Sequence, residues 1–261
     1  MALAVWPPDR PTAAQARISD NSFLIEEAYN QERGVVQHIS TWQRSLRSAA
    51  WLFTFTQEWP LGTQQHQLSY TIPLQRLESP SRRTGFADAA LNYRYQLAPA
   101  RGRVATAPRF SVLVPTGSAT RGLGAGTVGA QVNLPLSVRL GSSLVSHWNA
   151  GLTVLSRTTT YNLGASAIWL ARPNVNLMCE LLWTRDNSGG EAVALNPGIR
   201  WAHNFASGLQ VVPGVAVPLG IGSARGKQAV FLYLSFEHRF RPETAQHLVP
   251  QGPVNSNTGP P

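Results

Sequence analysis

Apolar and polar residues alternate with a period of two in about a dozen stretches between Val35 and Phe240. In His66–Leu77, Leu68, Tyr70, Ile72 and Leu74 are apolar, while Gln67, Ser69, Thr71 and Gln75 between them are polar. In Val230–Phe240, Val230, Leu232, Leu234, Phe236 and Phe240 share one face, and Ser235, Glu237 and Arg239 share the other. Successive side chains of a strand point to opposite sides, so this rhythm describes sheet with one apolar face and one wet face. It predicts strands at 35–45, 48–60, 66–79, 85–99, 104–118, 127–142, 144–157, 160–173, 175–187, 191–204, 209–221 and 229–240. Turn-forming clusters separate them, among them Leu61-Gly62-Thr63, Gly122-Leu123-Gly124-Ala125-Gly126 and Asn187-Ser188-Gly189-Gly190. No repeat of about 20–50 residues stands out, which argues against a propeller or solenoid.

A sheet that is apolar on one side needs either a second sheet or a lipid bilayer there. The predicted strands favour the bilayer, because many run well beyond the usual ~5–6 residues and reach the ~9–11 needed to cross it at a tilt. Their number is even, the rule for bacterial single-chain barrels. Aromatics sit where interfacial girdles belong: Trp51 and Trp59 bracket Phe53 and Phe55, and Trp148, Trp169, Trp183 and Trp201 lie on outward faces. An open sheet would leave long unpaired edges that closure removes. The expected fold is therefore all-β, a closed antiparallel transmembrane β-barrel of about 12 strands over residues 35–240. Residues 1–34 form an N-terminal lead in which Ser22, Glu26 and Glu27 suggest a short helix. Residues 241–261 are rich in Pro, Gly, Asn and Gln and are expected to be a disordered tail.

Composition sharpens this picture. Only 13% of residues are charged, against about 25% in a typical soluble domain, and neutral polar residues replace them. A mean hydropathy of -0.13 and the lack of any long apolar run argue against membrane helices. The net charge of +9 raises nucleic acid as a partner, but the arginines are scattered singly, with Arg82–Arg83 the one adjacent pair. Nucleic acid is thus not an expected partner, and attraction of anionic solutes or anionic lipid head groups suits the charge better. The single cysteine, Cys179, excludes an intramolecular disulfide and reads as a small apolar surface residue. An exported barrel requires a signal. Met1–Val5 is apolar but is broken by Pro7, Pro8, Asp9 and Arg10, so the leader is expected upstream of Met1 or in degenerate form before Ala14-Gln15-Ala16.

The wet face is then the lumen, and the pore-lining candidates are Asp88, Asn92, Arg94, Arg139, His147, Asn149, Glu180, Asn196, Arg200, Glu237 and Arg239. Gln67, Ser69, Thr71, Gln131, Asn133 and Asn176 join them. Charges among these can tune a narrow pore, although enclosed charges must pair whatever the function. Ser146-His147 invites a hydrolase reading, but strand neighbours point to opposite faces and cannot form a dyad. The six histidines show no close metal spacing, and the 122–126 glycines lack the Lys-Ser/Thr and helix of a phosphate loop. No catalytic residue, metal or cofactor is expected.

Several segments together resemble a known family. They are 21–32 (Asn21-Ser22-Phe23-Leu24-Ile25-Glu26-Glu27-Ala28-Tyr29-Asn30-Gln31-Glu32), 85–95, Val114-Pro115-Thr116-Gly117, Asn149-Ala150-Gly151, Asn196-Pro197-Gly198-Ile199-Arg200-Trp201 and Val212–Pro218. The chain is similar over most of 22–240 to the outer-membrane transporters labelled for the meta-pathway of phenol degradation. That resemblance implies a Gram-negative outer-membrane barrel passing small hydrophobic or aromatic compounds, and it assigns no substrate or catalytic residue. The chain departs from the pattern in its leader and in the tail after Phe240, since barrel chains usually end on that aromatic. The expected function is passive transport of such compounds, with outer-membrane lipids and small solutes as partners. The alternatives are a structural or adhesive barrel with an occluded lumen, an outer-membrane lipid hydrolase, and a soluble β-sandwich.

Overall fold

The structure is a computed structural model that describes residues 17–98, 102–205 and 209–239. The expected tail, Phe240 and residues 1–16 of the lead lie outside the described residues. The strand segments are β1 (Val35–Ser45), β2 (Trp51–Pro60), β3 (His66–Leu77), β4 (Arg83–Phe86), β5 (Ala89–Tyr95), β6 (Val104–Thr106), β7 (Arg109–Val114) and β8 (Gly129–Arg139). They continue as β9 (Leu144–Leu155), β10 (Thr158–Arg172), β11 (Val175–Asp186), β12 (Glu191–Trp201), β13 (His203–Asn204), β14 (Gln210–Ala216), β15 (Leu219–Ile221) and β16 (Ala229–Arg239). Four pairs continue one another across short breaks: β4–β5, β6–β7, β12–β13 and β14–β15. Two of those breaks fall at Pro108 and Pro218, which have no N–H for the ladder.

The result is a closed antiparallel barrel of twelve staves. Each stave pairs with its sequence neighbours, and β1 pairs with β16 from Val35 opposite Arg239 to Ser45 opposite Ala229. The end holding Val35 and Arg239 is called the near end here. The opposite, far end carries the long loop 115–128.

Parity along the staves separates two surfaces of opposite chemistry. Outward positions expose large apolar side chains, with Leu91 51%, Leu134 50% and Trp169 54% accessible. Inward positions bury polar ones, with Gln37 at 1% and Glu180 at 0%. A globule in water would reverse this, since each exposed Leu or Phe forgoes about 1.5–3 kcal/mol of transfer free energy. Hydrocarbon chains restore it. Outward aromatics gather toward the near end: the Phe236 and His38 rings stack at 4.5 Å, Phe55 lies 6.2 Å from Tyr70, and Trp59 lies 5.8 Å from Tyr70. Such rings suit the boundary between lipid and water.

The short helix expected around Ser22–Tyr29 does not form. A helix would need the amides of Glu26, Ala28, Asn30 and Gln31 to donate along its own ladder. They donate instead to wall side chains, namely Asn149 Oδ1, Ser137 Oγ, Gln96 Oε1 and Gln67 Oε1, at 2.7–2.9 Å. Residues 17–34 are an irregular segment folded back inside the barrel.

Candidate functional site: the lumen and its re-entrant segment

The segment enters at the near end, where the Ile18 amide donates to the Pro173 carbonyl at 3.0 Å. Three consecutive carbonyls then meet wall donors. Asn176 Nδ2 donates to Ser19 O at 2.8 Å, His147 Nε2 to Asp20 O at 2.8 Å, and Arg200 Nη1 to Asn21 O. Three consecutive amides follow, those of Phe23, Leu24 and Ile25, all donating to Glu180 Oε1 at 3.1, 2.8 and 2.9 Å. Asn196 Nδ2 holds the other Glu180 oxygen at 2.6 Å. The chain then returns past Ser137 and Gln96 to β1. Buried polar groups cost about 1–3 kcal/mol each when left unpaired, so this matching is what makes an irregular segment stable inside a protein.

Side chains seat the same segment. Phe23 lies directly on wall backbone, where a Cβ on Gly198 or Gly214 would come within 2.5 and 2.6 Å of its ring. Its ring also sits 5.4 Å from Phe231 and 5.5 Å from Tyr233. Ile25 occupies the space a Cβ on Gly164 would fill, at 2.1 Å. At the turn of the segment, Arg109 grips the Glu26 carboxylate with Nε to Oε2 at 2.9 Å and Nη2 to Oε1 at 2.5 Å. Arg94 Nη2 adds a third contact at 3.0 Å. Burial alone would push the Glu26 carboxyl up, but the Arg109 and Arg94 guanidiniums outweigh it and hold the group at about 2.

The sequence-predicted residues divide into groups. Arg94, His147, Asn149, Glu180, Asn196 and Arg200 converge on the re-entrant segment, directly or, for Asn196, through Glu180. Asn92 donates to Ser69 at 3.1 Å and accepts from Arg109 at 2.9 Å, within the wall. Glu237 accepts from Gln37 at 2.8 Å on the near side. Arg139 is half-exposed at the near end, 3.6 Å from the Asp20 carboxylate. Asp88 falls in the β4–β5 break and accepts the Gly117 and Ala125 amides at 3.0 and 2.7 Å, tying down the far-end loop. The Arg239 side chain lies outside what the structure describes.

Arg109, Glu26, Ser137, Phe231 and Tyr233 were not among the predicted pore residues. Arg109 and Ser137 occupy inward positions that alternation marks. Phe231 and Tyr233 do too, but their aromatic character disguised them. Ser137 stands directly across the ladder from His147, with Oγ 2.7 Å from Nδ1. Ser146 faces the other way and donates to the Ser166 carbonyl. The Ser137–His147 pair is at most 1% exposed, Ser137 also accepts the Ala28 amide, and the other ring nitrogen meets the Asp20 carbonyl. It is a fastening for the segment, its polar atoms engaged with one another and with the segment's backbone.

Three cavities lie in line along the lumen. A far-end vestibule of 560 Å³ is lined by Leu52, Leu77, Leu182, Ala192 and Ala194 with Arg47 and Lys227. It shares Gln43 and Leu52 with a middle chamber of 390 Å³ that reaches Arg94 and Arg109. That chamber shares Asn21 and Glu27 with a near-end cavity of 380 Å³. The narrow point between the last two is therefore the re-entrant segment itself.

No protein-family model matches the chain, and no curated protein matches it. Solved structures do resemble it. An outer-membrane channel from Pseudomonas putida F1 superposes with a TM-score of 0.59 at 15% identity, covering 82% of this chain and 98% of that one. The KdgM porin gives 0.54 at 9% identity, covering 78% and 99%. The NanC porin gives 0.54 at 7%, covering 77% and 99%. The fold is that of outer-membrane β-barrels.

Proposed function

We propose that the chain resides in a bacterial outer membrane and acts as a passive channel for small, hydrophobic or aromatic compounds, as a transporter of the phenol-degradation meta-pathway type would. The carrying observation is the in-line series of vestibule, middle chamber and near-end cavity, joined at Gln43–Leu52 and at Asn21–Glu27. The leucine and alanine lining of the vestibule suits apolar solutes, and the structures it resembles are described as porins or channels. Short turns usually face the periplasm and long loops the outside, so the 115–128 loop marks the vestibule as the outer mouth. Diffusion down a gradient needs no cofactor and no turnover. Liposomes carrying the protein should take up small aromatic solutes faster than empty ones. Uptake equal to that of empty liposomes for every solute tried would refute the reading.

A second reading, an occluded structural barrel, draws on the re-entrant segment, whose backbone is bonded to the wall at almost every residue from Ile18 to Gln31. Planar-bilayer recordings separate the two, because an occluded barrel gives no unitary current.

A further inference from the structure

The middle chamber holds a carboxylate already, and that carboxylate belongs to the protein. Arg109 meets Glu26 in the bidentate geometry with which guanidinium recognises any carboxylate, and Arg94 closes on the same oxygen. Glu26 is not sealed away, since 26% of its side chain remains accessible on the chamber side. Across the 390 Å³ chamber from the arginines stand Phe23, Ile39, Phe231 and Tyr233. One wall is thus cationic and rich in donors, and the other is aromatic and aliphatic.

Resting on the channel reading, we propose that this chamber is a binding site for small aromatic carboxylates, with Glu26 as the tethered occupant that the solute's carboxylate displaces from Arg109 and Arg94. The ring lies against Phe23 and Ile39, which Phe231 and Tyr233 back, and the carboxylate takes the two Arg109 contacts. Exchanging one carboxylate for another keeps both guanidiniums paired, so the swap leaves no unpartnered enclosed cation behind. Displaced Glu26 turns into the water of the chamber. The route inward is consistent with an amphipathic anion: Arg47 and Lys227 stand at the vestibule, followed by its leucine lining. Because Glu26 competes at the high effective concentration of a tethered group, removing its charge exposes the site.

The test measures binding of benzoate, benzyl alcohol and acetate to detergent-solubilised full-length protein by calorimetry. Glu26→Gln should bind benzoate at least about tenfold tighter than wild type does, and tighter than either benzyl alcohol or acetate. Adding Arg109→Gln to that variant should abolish the preference. Glu26→Ala should show the same order and serves if the glutamine variant does not fold. Benzoate binding no better than benzyl alcohol or acetate in these variants overturns the proposal. If neutral aromatics cross liposomes while benzoate shows no preference, the channel stands and the site falls. If the preference is present but nothing crosses, the site stands and the channel falls.

Discussion

The two halves of the lumen use the same kinds of polar side chain for opposite ends. Toward the near end, wall residues bond to the re-entrant backbone: Asn176, His147 and Arg200 to its carbonyls, Glu180, Asn149 and Ser137 to its amides. From mid-barrel toward the far end, wall residues bond to one another, as Thr56 does with Thr71 at 2.8 Å, Thr41 with Thr54 at 2.6 Å and Gln131 with Thr153 at 2.8 Å. A polar group satisfied by its neighbour on the next strand leaves the bore empty. One satisfied by an inserted chain fills it. Whether a barrel of this size is open is therefore decided by where its inward side chains find partners, more than by strand number.

That contrast can be broken from the near side most easily. Glu180→Ala removes the acceptor of three amides and should weaken attachment of the segment by about 3 kcal/mol or more. Faster hydrogen exchange at Phe23–Ile25 would register it, together with a larger unitary conductance; unchanged exchange would mean that other contacts suffice. Acid should act on the Glu26 clamp next. The Glu26 carboxyl is held below its usual 4.5, at about 2, so its stabilisation is complete above pH 4.5 and is lost as pH falls toward 2. Conductance recorded down this range should stay level to about pH 4 and then rise. Gly198→Ala drives a methyl into the Phe23 ring and should cost about 1–3 kcal/mol of segment attachment, read by the same exchange experiment. Thr54→Val, in the far half, should change thermal stability by less than about 1 kcal/mol, because only one cross-strand hydrogen bond is lost. A large effect there would erase the distinction between the halves.

Much of the barrel was legible because alternation is a local signal. The expected strands at 35–45 and 229–240 correspond to Val35–Ser45 and Ala229–Arg239, and the outward leucines Leu91, Leu134, Leu152 and Leu232 are all exposed. Local signals failed where the chain bends within a stave. The expected 85–99 strand is interrupted at Ala87–Asp88, because Asp88 turns aside to bond the loop. The re-entrant segment was illegible for a different reason. Glu26 lies 83 residues from Arg109, and the Phe23 amide lies 157 residues from Glu180. Ser22, Glu26 and Glu27 carry the chemistry of a helix start, and nothing near them in sequence announces the distant carboxylate that captures their neighbours' amides. The inward aromatics Phe231 and Tyr233 were equally silent, since their purpose appears only once Phe23 lies against them.

The Glu180 contacts also impose an order of events. The carboxylate that gathers the amides of Phe23, Leu24 and Ile25 sits on β11, more than 150 residues further along. The inner segment therefore has no receptor for those amides until β11 has taken its place in the wall. Residues 17–34 precede every strand in sequence, yet their fastening depends on the eleventh strand segment being in place.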